Sequence, residues 1–381
     1  MTTTAPLRPT TLEIDLDAAA DNLRAVRSLV GSARKLFAVV KADGYGFGAA
    51  EMGAVFARSG ADYLAVADLG EGVRLRRRGI TIPVLVYPNS LPTAAGEALA
   101  HGLIPTLVDL ESARAYSQAA TGPCEVFVKV DVGLERLGVP AEQAVKMILA
   151  LLELPHLRLS GLCAHPHADV GGDPAYADWQ LGRFVGVVDE LEARGVRVPV
   201  RLLAASPFVL RFPHTYLNAV DPGRMLYGIT FPGETPPVPL RPALRALTTR
   251  VITVKELAPR ERFAEQAPFA VTGPMRLGVV PMGSADGLRW LHAGHVLVRG
   301  RAVPLIGAPS LEHTRIDLTT VPDAAVGDEV VIIGRQGDLE ITPAEVAARQ
   351  GLGLHHVATT VGPRVARVYH SVGRSGPAGP V

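Results

Sequence analysis

The chain has 381 residues, 48% of them hydrophobic, with 38 basic and 37 acidic side chains and a formal net charge of +1. That length predicts two domains with enough apolar material for a large core. The balanced, evenly spread charge argues against a nucleic-acid or membrane-surface protein, no apolar run is long enough to cross a bilayer, and the start lacks a signal peptide's apolar core, which together predict a cytoplasmic protein.

Residues 1–11 read as an extended start, Leu12–Leu16 as a short strand, and Asp17–Leu29 as a helix with Asp17 at its N-cap. A rhythm then sets in. Short β-rich apolar runs fall at Leu36–Lys41, Tyr63–Asp68, Pro83–Tyr87, Pro105–Asp109, Glu125–Asp131, Leu159–His165, Arg201–Ser206 and Ala219–Tyr227. Helical patterns separate them at Ala49–Ser59, Leu69–Arg78, Thr93–His101, Glu111–Ala120, Ala141–Leu152, Tyr176–Arg194 and Pro207–Leu217. Strands alternating with helices imply a parallel sheet. Eight such units in about 230 residues match the count and size of a (β/α)8 TIM barrel, with a doubly wound open sheet as the alternative.

After the Pro-rich stretch Phe231–Pro237 the texture changes. Strands are expected at Leu247–Glu256, Met275–Val280, His295–Val298, Arg301–Ile306, Thr314–Asp317 and Glu329–Ile333, with a helix only at Pro343–Gln350 and a loose tail at Gly373–Val381. The domains are therefore placed at 12–235, a barrel, and 241–372, mostly β, with residues 1–11 a candidate addition to the second. Cys124 and Cys163 lie in apolar stretches and read as buried free thiols rather than a disulfide or metal pair. No metal site is expected.

The chemically suggestive residues cluster where strands end. Lys41 is one of only five lysines, with Lys35, Lys129, Lys146 and Lys255, and it closes an apolar strand just before the glycine-rich turn Gly44-Tyr45-Gly46-Phe47-Gly48. Burial penalises an ammonium, so such a lysine either snorkels out at the strand end or serves as the neutral amine of a Schiff base. Asp131 with Arg136 beyond it, His165, Ser206 and the Asp221–Arg224 turn also fall at C-terminal strand ends, which is the active face of a barrel.

Three motifs carry a family resemblance. Ala38-Val39-Val40-Lys41-Ala42-Asp43-Gly44-Tyr45-Gly46 resembles the pyridoxal-phosphate lysine motif of alanine racemases. Val128–Gly138 resembles their second motif and Gly283-Ser284-Ala285-Asp286-Gly287 a third, in the β domain. Ala325–Val330 and Arg364–Tyr369 resemble the closing part. The resemblance spans nearly the whole chain. It implies fold type III, with an N-terminal barrel, a C-terminal β domain and a head-to-tail homodimer whose sites form between subunits. It also implies pyridoxal 5'-phosphate as cofactor and a small amino acid as substrate. By the same resemblance, Lys41 would carry the cofactor, Tyr45 would reach its phosphate and Arg136 its phenolic oxygen. Lys129 would stand where some members carry a carbamylated lysine. His165 would stack on the pyridine ring. Ser206 and the backbone of Gly223 and Arg224 would bind phosphate, and Tyr227 joins the cofactor-binding set.

The departures from the family pattern are as informative. Ser284 replaces the tyrosine that alanine racemases use as second base, and a serine hydroxyl is too weak a base unaided. Leu311-Glu312 replaces a Met-Asp pair, and His355 aligns roughly with a phosphate-binding tyrosine. Asp221 replaces an arginine beside the pyridine nitrogen. Asp221-Pro222-Gly223-Arg224 resembles instead the Glu-Pro-Gly-Arg motif of fold type III basic amino-acid decarboxylases. A carboxylate there stabilises the pyridinium as an electron acceptor. The expectation is chemistry at an amino acid's α-carbon other than ordinary alanine racemisation, with Lys41, Glu312, His355 and Ser284 as candidate catalytic residues. The alternative is chemistry on one face of the cofactor, such as decarboxylation, aldol-type cleavage, elimination or substitution.

Overall fold

The protein is represented by a computed structural model that describes residues 7–167, 172–259, 264–266, 268–288 and 294–371. The chain divides into two units, Ala18–Arg241 and a second that joins the N-terminal residues through Asp17 to Pro242 onward. The expected tail Gly373–Val381 lies outside the described residues.

The first unit is an eight-stranded parallel barrel. In chain order its strands are Lys35–Val39, Tyr63–Val66, Val84–Val86, Ile104–Leu107, Cys124–Asp131, Leu157–Cys163, Val200–Ala205 and Ala219–Asp221. Each pairs with its neighbour, and the first closes on the eighth through Ala219 opposite Lys35 and Val220 opposite Leu36. Closure leaves no unpaired edge, so the open-sheet alternative falls. Strands buried on both faces read as continuous apolar runs, which is why the sequence exposed them. Phe37, Val39, Ala65, Leu85, Phe127, Cys163, Val200, Leu202 and Ala219 fill the interior, with Tyr45, Tyr63 and Tyr87 packed against them. Both cysteines are buried and free.

The eighth expected strand is the one that departs most from its predicted bounds. It stops at Asp221, because Pro222 has no N–H to continue the ladder, and Arg224–Tyr227 forms a 3-10 turn instead. That turn is anchored by a buried ion pair in which Arg224 donates to Glu234 at 2.8 Å and to the Ile229 carbonyl at 2.9 Å. Asp17 lies in the first turn of the helix Leu16–Val30 rather than at its cap.

The second unit is mostly β. Thr11–Asp15, expected near the barrel's start, pairs antiparallel with Leu244–Arg250 and parallel with Ala366–His370 in this unit's sheet. The single strand expected over Leu247–Glu256 is two, Leu244–Arg250 and Thr253–Leu257. The break at Val251–Ile252 is where the chain changes partners, from Glu329–Gln336 to Met275–Val280. A short strand, Leu339–Ile341, and a second helix, His356–Thr359, add to the expected elements. Among the described residues no helix is long and apolar enough to cross a membrane.

Candidate active site

The first barrel strand ends at Val39, and Lys41 opens a tight turn of unusual hand. Ala42, Asp43, Gly44 and Tyr45 all adopt positive φ, at 54°, 51°, 61° and 57°. Three of the four carry side chains, for which left-handed helical backbone costs about 1–2 kcal/mol per residue. Hydrogen bonds to residues outside the turn hold it. The Asp43 N–H donates to Glu71 Oε1 at 2.7 Å, and Asp43 Oδ1 accepts from the Ala49 N–H at 2.9 Å. A Cβ on Gly44 would stand 3.2 Å from the Ala49 backbone, so this position favours glycine for space as well as for its φ. The turn is flanked by Lys41 and Tyr45. Burial lowers the basicity of the Lys41 amine, against the opposing pull of the Asp221 carboxylate and with help from the charges of Arg136 and Lys129.

At the end of the eighth strand Asp221 is buried, with 4% of its surface exposed. Tyr87, at the end of the third strand, donates its hydroxyl to Asp221 Oδ2 at 2.7 Å. Asp221 Oδ1 is equally buried and finds no hydrogen-bond partner among the described residues. Burial pushes the carboxyl up to about 6, while the Tyr87 hydrogen bond and the charges of Lys129 and Lys41 work against that rise. Lys129 is itself buried, its ammonium 5.5 Å from the centroid of the Tyr87 ring. His165, after the sixth strand, is pushed down to about 3 by burial and by Lys129, Lys41 and Arg136, so its imidazole is neutral at working pH.

A third group forms where the seventh and eighth strands end. The Ser206 hydroxyl accepts from the Gly223 N–H at 2.9 Å and from the Met225 N–H at 3.5 Å, leaving its own proton to donate. Ser206 is the first residue of the following helix, whose N-cap is Ala205, so it is not the cap. A Cβ at Gly223 would lie 2.2 Å from the Tyr45 hydroxyl, so the backbone there must be bare. Two of the expected cofactor-binding residues make side-chain bonds within the barrel unit. Tyr227 donates its hydroxyl proton to the Val39 carbonyl at 3.0 Å and packs its ring on Tyr45, Phe47 and Phe56. The Arg224 guanidinium is engaged by Glu234, which leaves only its backbone for the site.

Arg136 is exposed on the loop after the fifth strand. Asp131 Oδ1 shapes that loop by accepting from the N–H groups of Gly133, Leu134 and Glu135 at 3.0, 3.0 and 3.2 Å. The remaining candidates lie in the β unit. Ser284 opens a 3-10 turn and donates its N–H to the Ser310 carbonyl at 2.9 Å. Glu312 receives two hydrogen bonds from Arg364, at 2.9 and 2.7 Å, with Arg8 3.7 Å away. Those bonds hold its carboxyl below the usual range, which makes it a weaker base and a better anchor. His355 precedes the helix His356–Thr359.

The barrel therefore brings Lys41, Tyr45, His165, Ser206, Asp221 and Gly223 to its strand ends, and it adds two residues that sequence reasoning passed over. Tyr87 had the same signal as the others, a position at a strand's C-terminal end. Glu71 carries at most the Asp-x-x-Glu spacing of a capping box with Asp68, a local signal silent about its tertiary bond. The chemistry of this set fits pyridoxal phosphate. There is an amine of lowered basicity, a buried carboxylate oxygen lacking a donor, a hydroxyl with a proton to give, and bare backbone beside it.

Comparison with known proteins agrees. A family model for the alanine racemase N-terminal domain matches residues 14–231, and one for the alanine racemase C-terminal domain matches residues 244–369. The chain is 39% identical over 373 residues to a protein named alanine racemase from Desulfosudis oleivorans, covering 94% of this chain and 95% of that one. It is 34% identical over 371 residues to alanine racemase 2 of Caldanaerobacter subterraneus subsp. tengcongensis, covering 95% of each. The solved structure of alanine racemase from Bacillus anthracis with bound L-Ala-P matches with a TM-score of 0.90 at 30% identity over 97% of each chain. The chain belongs to the alanine racemase family, fold type III enzymes that depend on pyridoxal phosphate.

Proposed function

We propose that this chain acts at the α-carbon of an amino acid but is not an ordinary alanine racemase. The observation that carries this reading is Asp221, a buried carboxylate with one oxygen held by Tyr87 and the other without a partner among the described residues. When bound, pyridoxal phosphate supplies an electrophilic carbon for the substrate's amine and a ring that accepts electrons released at the α-carbon. Lys41 would hold it, and Asp221 Oδ1 would keep a proton on the pyridine nitrogen. The Ser206 hydroxyl would donate to the phosphate beside the bare Gly223. The neutral His165 would face the ring without adding charge. Lys41, its basicity lowered by burial, would exchange a proton with the α-carbon on one face.

For the opposite face, two of the candidate bases are poor ones. Ser284 is too weak and Glu312 is committed to Arg364. Racemisation would then need His355 or His313, whereas one-face chemistry, such as loss of carbon dioxide, would need neither. Asp221 favours the second class, because a protonated ring nitrogen strengthens the electron sink that such reactions use. In the family arrangement implied by the Gly283–Gly287 motif, Ser284 and Glu312 reach a barrel of another protomer, which makes the working unit a homodimer. Sedimentation of the active enzyme should therefore show a dimer, and a fully active monomer would contradict that assembly.

Incubation with single amino acids in deuterated water, followed by product analysis, separates the outcomes. α-Carbon deuteration or carbon dioxide release is expected with a substrate other than alanine, and alanine inversion should be slow, since loss of a general base removes about 10²–10⁴-fold of rate. Robust alanine racemisation would end the proposal and place the second base on His355, His313 or a bound water.

Asp221 also makes a prediction in the cofactor-free protein. Its folded-state carboxyl titrates at about 6, above the ordinary 3.8. Its contribution to stability is therefore fully present below pH 3.8 and is lost as pH rises through 6. Asp221→Asn removes this titration. From pH 4 to pH 7 the stability of that variant relative to the natural protein should rise by about 2 kcal/mol, the part of the shift still unspent at pH 4, where the unfolded carboxyl is already more than half ionised. Denaturant unfolding at the two pH values checks it, and a constant difference would show that the carboxylate ionises there without cost.

A further inference from the structure

We infer that Glu71 is a positioning residue for the cofactor lysine: its carboxylate holds the turn Ala42–Gly46 in the left-handed form that joins Lys41 to Tyr45. The inference rests on Lys41 carrying the cofactor, as proposed above. The turn's own hydrogen bonds run from the Gly44 N–H to the Val40 carbonyl and from the Gly46 N–H to the Ala42 carbonyl, both at 2.9 Å, and from the Gly46 N–H to the Asp43 carbonyl at 3.1 Å. Bonds of that span also close a right-handed turn, so they do not select the hand. Backbone with three side-chain-bearing residues at positive φ persists only where its surroundings over-determine it.

Glu71 is the charged group placed to do so. It is 6% exposed, on the helix Leu69–Arg77 that follows the second barrel strand. The Asp68 side chain accepts its N–H at 3.1 Å, which fixes it on a rigid element. A glutamate whose role ended at capping that helix would make its best bond to the Asp68 N–H. Here that distance is 3.4 Å, while the bond to the Asp43 N–H of the lysine turn is 2.7 Å. The shorter, better bond goes to the turn. The Glu71 charge is also felt at Lys41, where it supports the ammonium against burial.

The test compares Glu71→Ala, Glu71→Gln and Glu71→Ala combined with Ala42→Gly. Ala42 is exposed, and glycine adopts left-handed backbone without penalty. Amide exchange is read at Asp43 in the cofactor-free protein, and pyridoxal-phosphate affinity by absorbance. Glu71→Ala should speed Asp43 exchange and weaken cofactor binding by about tenfold each, the scale of one lost charge-assisted hydrogen bond. Glu71→Gln, which keeps an acceptor oxygen, should stay within about threefold on both. The added glycine should recover most of the lost affinity, an effect that repair of a helix cap cannot produce. Should Glu71→Ala fail to fold, Glu71→Asp keeps a capping carboxylate that is too short to reach Asp43, and it should show the same faster exchange. Unchanged Asp43 exchange, or no rescue by the glycine, overturns the inference. Borohydride fixation followed by peptide mapping keeps the two readings apart. Cofactor fixed to a lysine other than Lys41 overturns the assignment of Lys41 and the inference with it. Cofactor on Lys41 with Asp43 exchange unaltered overturns the inference alone.

Discussion

A carboxylate taken out of water needs partners for both oxygens, and Asp221 has one for only half of it. Tyr87 bonds Oδ2, while Oδ1 is buried with no donor among the described residues. The cost of that arrangement appears as a carboxyl that holds its proton up to about 6. Natural structures rarely leave such a group unexplained, and where they do the group usually has a use. A cationic N–H brought by a ligand would satisfy the oxygen and restore the charge. The charges of Lys41 and Lys129 already bear on Asp221, which makes the end of the eighth strand the electrostatic centre of the barrel mouth.

The rest of the mouth is shaped by backbone as much as by side chains. Gly223 is bare because the Tyr45 hydroxyl occupies the space a Cβ would take. Tyr45 in turn stands at the end of a left-handed turn that begins beside Lys41 and is tied to the next strand's helix through Glu71. Tyr227 props Tyr45 from below and bonds the first strand at Val39. The 3-10 turn carrying Tyr227 is clamped by Arg224 and Glu234. A continuous scaffold thus runs from the second strand's helix through the first strand to the turn after the eighth, and it holds both Lys41 and Asp221.

Much of this was legible in the sequence, for identifiable reasons. Parallel strands buried on both faces leave apolar runs, so all eight barrel strands could be read, and strand C-terminal ends marked Lys41, His165, Ser206 and Asp221. The hand of the Ala42–Tyr45 turn could not be read, because three of its residues are ordinary side-chain-bearing types whose conformation is imposed from outside. The bond from Asp43 to Glu71 spans 28 residues, beyond the reach of local pattern. The strand boundary at Val251–Ile252 was lost because both halves are equally β-prone and only their partners differ. In the β unit, the ion pairs of Glu312 with Arg364 and Arg8 link residues far apart in sequence, so its weakness as a base was equally hidden.

The central claim is that the unpartnered oxygen of Asp221 is there to meet the protonated nitrogen of the cofactor ring. Nitrogen NMR of the enzyme loaded with pyridoxal phosphate labelled with 15N at the pyridine nitrogen reads that proton directly. The account predicts a protonated nitrogen at neutral pH in the natural protein and loss of that proton in Asp221→Asn. An unprotonated pyridine nitrogen in the natural protein would contradict it.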